Sequence, residues 1–377
     1  MEKELSAGQE LKQKNRNNIY KLIHRRGVVS KQDIVRELGL SLPTVTQNLT
    51  DLLREGLICE QGSFGNTGGR RARGYAVVPR AKVAVGVDIN ARRCAIVILD
   101  LHGTIIGNRR EYCRFSNTDE YYKMVSNLIE ELIDSCSVDR NTILGVGIAT
   151  QGIMNPEKNR IVYGEILGIT GTTRDTIGKY IPYPRVLLHD SDMAAFAEAW
   201  NSEDDREAVY LSCSTNLGGA IAEKDPGKMR PDRFGRARVE HMTLIPDGKK
   251  CYCGQNGCAD AYCSTSVLSD YAEDGRLDTF FAELKAGDEG ATELWDDYLD
   301  KLAILINNTC MMFDSDVIIG GYMGEHMEDY MDDLKNRVYK RNSFDRSRDY
   351  VRLCRVKKEP VAVGAALYYI EDFVSNI

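Results

Sequence analysis

Between Asn15 and Leu53, apolar residues recur at three- and four-residue intervals, the period of helices that bury one face. Ile19, Leu22 and Ile23 form the first run, which Gly27 ends with Arg25 and Arg26 in its last turn. Ser30 is placed to cap a second helix, Lys31 to Leu38, that buries Ile34, Val35 and Leu38, and Gly39 supplies the left-handed residue of a tight turn. Ser41 caps a third helix with Pro43 in its first turn. Its apolar face is Val45, Leu49, Leu52 and Leu53, and Thr44, Gln47 and Asn48 lie on a polar face. After Gly56, Leu57 to Gln61 and Gly74 to Val78 read as strands around a glycine-rich loop, Gly62 to Arg73, carrying Arg70, Arg71 and Arg73. Residues 1–80 therefore read as a winged helix-turn-helix.

The pattern changes after the basic junction Arg80 to Lys82. Lys82 to Ile89 and Cys94 to Asp100 are apolar, β-branched runs joined by Asn90 to Arg93, and Gly103 turns the chain into a third strand, Thr104 to Gly107. An amphipathic helix, Asp119 to Cys136, precedes the buried strand Ile143 to Ala149. Similar grammar returns at Ala208 to Ser212, the turn Ser214 to Gly218, the strand Gly219 to Ala222 and the buried strand Val317 to Gly320. Residues 81–377 thus read as an α/β body of two comparable lobes, whose intervening cleft is the natural ligand site. The acidic stretch Glu325 to Asp333 reads as a solvated helix face, and His24, His102, His326, Trp200 and Trp295 read as surface or packing residues.

Charge separates the two parts. Residues 1–80 carry 14 Lys/Arg against 8 Asp/Glu, whereas the remainder carries 35 against 48. A basic module on an acidic body points to a polyanion partner for that module alone, because clustered cations supply phosphate contacts. The third helix is expected in the major groove of double-stranded DNA, where Thr44, Gln47 and Asn48 can reach base edges, with Ser41 and Pro43 at its entry and the wing arginines on phosphates or in the minor groove.

Composition narrows the class further. The 377 residues are 43% hydrophobic and 28% charged, which excludes disordered, collagen-like and membrane-bundle chains. No run approaches 18 apolar residues and Met1 to Glu10 is polar, so a cytoplasmic location without membrane association is expected. Eleven cysteines in such a chain suggest metal binding. His241, followed by Cys251, Cys253 and Cys258, is a closed tetrahedral donor set, the chemistry of a structural zinc site with no open catalytic position. Gly254 and Gly257 let the loop curl.

Taken together, the residues resemble the ROK family of repressors, open reading frames and sugar kinases. The resemblance rests on Thr67-Gly68-Gly69-Arg70-Arg71, the His-Cys zinc motif, Gly147 to Ile153, Asp190 before Ala194 to Glu198, and Ile318 to Gly321. It implies an actin-like, two-lobed fold of the hexokinase superfamily, a sugar cleft near the zinc loop, and assembly into homodimers or dimers of dimers.

Departures from the family pattern bear on activity. Family kinases carry Asp-Ile-Gly-Gly-Thr-Lys at the first phosphate loop, and this chain has Asp88-Ile89-Asn90-Ala91-Arg92-Arg93. The second loop, Gly-Thr-Gly-hydrophobic-Gly in kinases, is Ser214-Thr215-Asn216-Leu217-Gly218. Without those glycines, side chains obstruct the backbone amides that would cradle phosphates. Asp190 stands where kinases have their base and is retained as a sugar contact, beside His189 in place of the usual asparagine. Arg238 replaces a sugar-binding glutamate in Arg238-Val239-Glu240-His241, and Asp260 keeps the charge of a family glutamate on a shorter arm. His189, Asp190, Arg238, His241 and Asp260 are therefore the expected ligand residues, and Arg238 would favour an acidic or phosphorylated sugar over a neutral hexose. The expected function is a sugar-responsive transcriptional regulator, a repressor, that is not an enzyme. The alternatives are an ATP-dependent sugar kinase with an appended DNA-binding domain, and a regulator that has lost its sugar ligand.

Overall fold

The computed structural model describes residues 7–64, 72–202, 206–223, 237–342 and 349–377. The N-terminal unit comprises helix α1 (Ala7–Arg26), strand β1 (Val28–Ser30), helices α2 (Lys31–Leu38) and α3 (Leu42–Arg54), and strands β2 (Ile58–Phe64) and β3 (Ala72–Val77). Ser30 accepts a hydrogen bond from the Asp33 amide while the Asp33 carboxylate accepts from the Ser30 amide, a reciprocal cap that starts α2. Gly39 ends it in the left-handed conformation, and Ser41 caps α3 with Pro43 in the first turn, as the residue pattern predicts. Helix α1 begins earlier than the apolar run indicates: residues 8–12 are exposed, and Gln13 and Asn17 in the following turns bond to C-terminal carbonyls instead of this unit's core. The strand β1 was not expected; three residues give no periodicity, and its pairing with β3 creates it.

After the short turn Pro79–Ala81, the body opens with an antiparallel meander, β4 (Val83–Ile89), β5 (Cys94–Asp100) and β6 (Ile105–Glu111). Helix α4 (Asp119–Ser135) and strand β7 (Ile143–Thr150) follow, then the small hairpin β8 (Ile153–Met154) and β9 (Ile161–Tyr163), the single turn α5 (Arg174–Ile177), and β10 (Arg185–His189). Strands β7 and β10 join parallel to β4, giving the order β10-β7-β4-β5-β6. The second lobe follows α6 (Asp190–Trp200): β11 (Ala208–Cys213), β12 (Leu217–Ile221), short helices α7 (Asp260–Cys263) and α8 (Ser266–Ser269), α9 (Leu277–Ala286), α10 (Glu289–Phe313), β13 (Asp316–Gly320), α11 (Met331–Arg341) and β14 (Val351–Leu353). Its sheet has the order β12-β11-β13-β14. Helix α12 (Pro360–Asn376) returns to the first lobe.

Three apolar clusters organise these layers. Helix α4 covers one face of the first sheet, and α9, α10 and α11 cover one face of the second. Helices α6 and α12 lie between the sheets: α12 packs on the first sheet and on α6, and α6 touches both sheets. Their approach is close enough to require glycine: a Cβ on Gly86 would stand 1.8 Å from the Ala362 carbonyl oxygen, and one on Gly147 2.1 Å from that of Ala365. Acidic residues 325–333 are not one solvated helix face. Gly321–Glu325 and Glu328–Tyr330 are tight turns, Met327 is fully buried, and Glu325 is drawn across the cleft to Arg110. Among the described residues no helix is long and apolar enough to cross a membrane.

The N-terminal unit is docked on the body. Gln13 donates to the terminal Ile377 carbonyl, and Asn17 donates to that of Ser375 at 2.9 Å. His24 contacts the Leu101 carbonyl through Nε2 at 2.5 Å and stacks on His102 with ring centres 5.4 Å apart. Trp200 meets His24 edge-on, so three residues expected to be ordinary packing residues form the joint between domains. Burial lowers the His24 pKa, outweighing the Leu101 contact. A histidine with a lowered folded-state pKa contributes stability that is present above its unfolded pKa of about 6.5 and lost as pH falls. The stability gap between wild type and His24→Gln is expected to be larger at pH 7.5 than at pH 5.5, measured by thermal melts at both; a gap that widens on acidification would contradict it.

Candidate functional site

The outward stripe of α3 is Pro43, Gln47, Thr50 and Arg54, at helical spacings of four, three and four. Ser41 and Leu42 are also exposed, with Leu42 at 53%, and Thr44 is partly exposed at the same end. Gln47 reaches back to Asp51, and Arg54 pairs with the same carboxylate at 3.0 Å. Asn48 corrects the expectation from sequence. It is 4% exposed, and its amide donates to the Thr44 carbonyl at 2.8 Å, so it supports the helix from inside. Thr50 and Arg54 take its place on the outer face, a signal available in the sequence as the next turns of the Pro43 and Gln47 stripe. Arg73 is exposed on β3 and pairs with Glu60 at 2.8 Å. Arg70 and Arg71 lie outside the described residues.

In the cleft, β10 ends at His189 and α6 begins at Asp190, so the strand-to-helix junction delivers both side chains to one small pocket. Its walls include Gln151, Glu165, Arg238, Glu240, His241 and Tyr252. Asp190 Oδ1 accepts from the Ser191 amide at 2.7 Å and lies 3.5 Å from His189 Nδ1. Desolvation raises the Asp190 pKa against the opposing pull of His189 and Ser191. Glu240, which is not among the ligand residues expected from the sequence, also lines the pocket. Its Oε2 is buried without a hydrogen-bond partner, and burial pushes its pKa up to about 7. A carboxylate thus returns to the pocket two residues after the position where Arg238 removed one.

Asp260 does not line this pocket. It is 6% exposed, and Oδ1 accepts from the Leu217 amide at 2.7 Å, which fixes the start of β12. Its expected role as a ligand contact is corrected to that of a loop support, because its shorter arm is spent on that amide. The pocket is narrow, with a volume of about 60 Å³.

Beside it, the four residues His241, Cys251, Cys253 and Cys258 gather so that their ligand atoms all lie within 4.8 Å of one another. Four donors about 2.3 Å from a common centre stand roughly 3.8 Å apart at tetrahedral angles. Cys253 and Cys258 sulfurs are 3.7 Å apart, and Cys251 Sγ is 3.7 Å from His241 Nδ1. The other ring nitrogen, Nε2, is 3.2 Å from the Tyr252 hydroxyl, which leaves Nδ1 as the donor to the cluster. Gly254 and Gly257, at φ of 90° and 82°, make the turns that return Cys258 to Cys253. The set is suited to a metal ion of tetrahedral preference.

The first phosphate-loop segment is occupied by its own side chains. Asn90 Oδ1 accepts from the amides of Arg92 and Arg93 at 3.0 and 3.1 Å, so these amides are already satisfied. Asn90 also donates to the Tyr322 hydroxyl at 2.5 Å, and Tyr322 donates to Asp88 at 2.8 Å across the cleft. Asp88 is buried, and desolvation raises its pKa to about 7 in spite of Arg93 nearby.

Comparison with known proteins agrees with this arrangement. A winged helix-turn-helix DNA-binding profile matches residues 12–58. The chain is 25% identical over 393 residues to a putative xylose repressor of Caldicellulosiruptor sp. strain Rt8B.4, covering 97% of each chain. Its fold is similar to the crystal structure of a ROK family transcriptional regulator described as a homologue of the E. coli MLC protein (TM-score 0.73, 20% identity, 97% of each chain). It is also similar to a ROK family glucokinase from Streptomyces griseus crystallised with glucose and AMPPNP (TM-score 0.61, 20% identity, 76% of this chain and 98% of that one). At these identities the two structures speak to fold alone. The ROK family profile itself matches residues 84–371, well over half of the sequence, and the chain belongs to the ROK family.

Proposed function

We propose that this protein is a DNA-binding transcriptional regulator, a repressor, whose ROK body binds a sugar or sugar derivative without phosphorylating it. The observation that carries this reading is a pairing: an exposed, correctly capped recognition helix, and a former phosphate loop whose amides are taken by Asn90. Backbone amides already bonded to a side chain cannot also cradle a nucleotide phosphate. The similarity to a xylose repressor along nearly the whole chain supports the same reading.

Within it, α3 enters the major groove, and the protein acts as a homodimer or dimer of dimers so that two helices read half-sites about one DNA turn apart. The cysteine cluster holds a structural zinc ion through His241 Nδ1, Cys251, Cys253 and Cys258; bound there, zinc supplies a cross-link and no catalysis. The effector sits against Asp190, His189, Arg238 and Glu240 beside the zinc loop. A pocket of about 60 Å³ is far smaller than usual ligand sites of roughly 300–1,000 Å³, so the lobes must part to admit a sugar. That motion is the means by which ligand would alter the spacing of the paired helices. The protein works in the cytoplasm.

The test is selection of a bound DNA fragment from random duplexes, followed by titration with xylose, amino sugars, sugar acids and sugar phosphates. Operator affinity that no ligand changes would contradict the effector reading and favour a regulator without a sugar ligand, which the narrow pocket also fits. ATP turnover with any sugar would instead favour the kinase. Asp190→Asn is expected to weaken effector binding about tenfold or more, the usual cost of losing a charged hydrogen bond, while ligand-free operator affinity stays at the wild-type value. Calorimetric titration of both proteins measures this.

A further inference from the structure

The face that α3 turns outward is less polar than its residue types indicate. Thr46 donates its hydroxyl hydrogen to the Leu42 carbonyl at 2.8 Å, and Thr50 donates its own to the Thr46 carbonyl at 2.9 Å. A threonine hydroxyl has one hydrogen, so both donors are spent on the helix itself. Ser41 and Thr44 bond to each other at 2.8 Å, which leaves that pair one hydrogen between them. What Thr46 and Thr50 offer a neighbour is chiefly a methyl group.

Two apolar residues stand at the leading end of the same helix, where Leu42 and Pro43 are both exposed. A single exposed leucine needs no explanation. Leu42, however, lies four residues before Thr46 and eight before Thr50, so the three form one ridge along the helix. It takes no part in the core of the unit, which Ile19, Ile23, Ile34, Val45, Leu49 and Leu52 make. The unit that carries the ridge holds 14 Lys/Arg against 8 Asp/Glu over residues 1–80 and matches a winged helix-turn-helix DNA-binding profile. Its net positive charge fits a duplex, and the first turn of a recognition helix is the part that meets base edges. Among the four bases, only thymine presents a methyl group in the major groove.

We propose that Leu42, with the Thr46 methyl beside it, recognises the C5-methyl groups of thymines in the major groove, and that this apolar contact selects the operator half-sites. The proposal rests on the DNA-binding reading and names the base feature that α3 selects. Packing a methyl group against leucine removes both from water, which is worth about fourfold in affinity for one buried methyl-sized group. Gln47, one position off the ridge and held only by an exposed contact to Asp51, stays available for an adenine edge.

The experiment starts from a duplex that the full-length protein selects from random sequence. Its thymines are replaced one at a time by deoxyuridine, which removes the methyl and keeps the base pair. Binding anisotropy is then measured for wild type, Leu42→Ala and Thr46→Ser, the last of which keeps a hydroxyl for the Leu42 carbonyl and loses only the methyl. Wild type is expected to bind about fourfold more weakly for each half-site in which the recognised thymine is replaced. Leu42→Ala, altered at an exposed position, is expected to melt with wild type, to bind the thymine duplex more weakly, and to bind the thymine and deoxyuridine duplexes equally. Thr46→Ser is expected to narrow the same preference. Wild-type indifference to every replacement would overturn the proposal and leave the DNA-binding reading standing. A thymine preference that survives undiminished in Leu42→Ala would also overturn it, because duplex shape or another residue would then carry the preference. Failure to select any duplex would contradict the DNA-binding reading itself, and the proposal with it.

Discussion

Chelation of zinc from the purified protein is expected to lower its melting temperature by about 6–12 °C or more, the shift that a loss of ~3 kcal/mol produces in a domain of roughly 150–250 residues. Four ligand atoms within 4.8 Å close the segment from His241 to Cys258 on itself. Without the ion, three thiols and an imidazole that face one another gain nothing from being gathered. In isolated zinc-finger peptides the metal contributes about 10–16 kcal/mol of apparent binding free energy. Here the lobe has its own core around α10, so the loss should be local: the loop loosens while the lobe stays folded. Since His241 and Tyr252 also line the Asp190 pocket, effector binding should disappear with the metal. Cys253→Ser should reproduce both effects, because serine does not supply a thiolate. Metal analysis giving one zinc per chain, with melting and ligand titration before and after chelation, checks the set. A chelated protein that melts and binds as before would exclude a structural metal.

Gln47→Ala is expected to lower operator affinity by about 5- to 150-fold, the range that ~1–3 kcal/mol of lost base contact gives. Its melting temperature should be that of wild type, since Gln47 is exposed and only reaches back to Asp51. Asn48→Ala is expected to behave in the opposite way. Removing its hydrogen bond to the Thr44 carbonyl in a site 4% exposed should cost about 1 kcal/mol of stability. The preferred DNA sequence should not change. Binding anisotropy on a selected operator and its point variants, beside thermal melts, distinguishes the two. A shifted base preference in Asn48→Ala would show that the helix turns on binding and that the buried amide becomes a base contact. Arg54, on the same outward stripe and exposed apart from its pair with Asp51, should act on phosphates, so Arg54→Ala should weaken binding to all sequences alike and reduce its salt dependence.

Much of the DNA-binding unit was legible from residue order alone. Helix caps such as Ser30 with Asp33 and Ser41 with Thr44 act within one turn, so the residues that specify them stand three positions apart. The same holds for the metal quartet, whose three cysteines fit one tight loop, and for the meander of β4, β5 and β6, whose alternation and turns are local. The ROK segments were readable because they occur as short contiguous runs. What failed to show was side-chain direction near the edge of a face: Asn48 lies one residue from Gln47 and reads as polar, yet the turn of the helix carries it inside.

Other features of the site depend on contacts between residues far apart in the chain. That Asp260 is spent on the Leu217 amide, and so is absent from the pocket, depends on a contact between residues 43 positions apart. That Asn90 seals the former phosphate loop while bonding to Tyr322 depends on a contact across 232 positions. Likewise, the joint of His24, His102 and Trp200 exists only once α1 is laid on the body. Residue order alone specified the elements with local signals, their caps and the donor set for a metal, because each follows from neighbours along the chain; the missing glycines of the loops at Asn90 and Asn216 showed only through the resemblance to family kinases. Which polar groups meet across the cleft, and which carboxylates remain available there, emerged only in three dimensions, because burial and long-range pairing are properties of the assembled lobes.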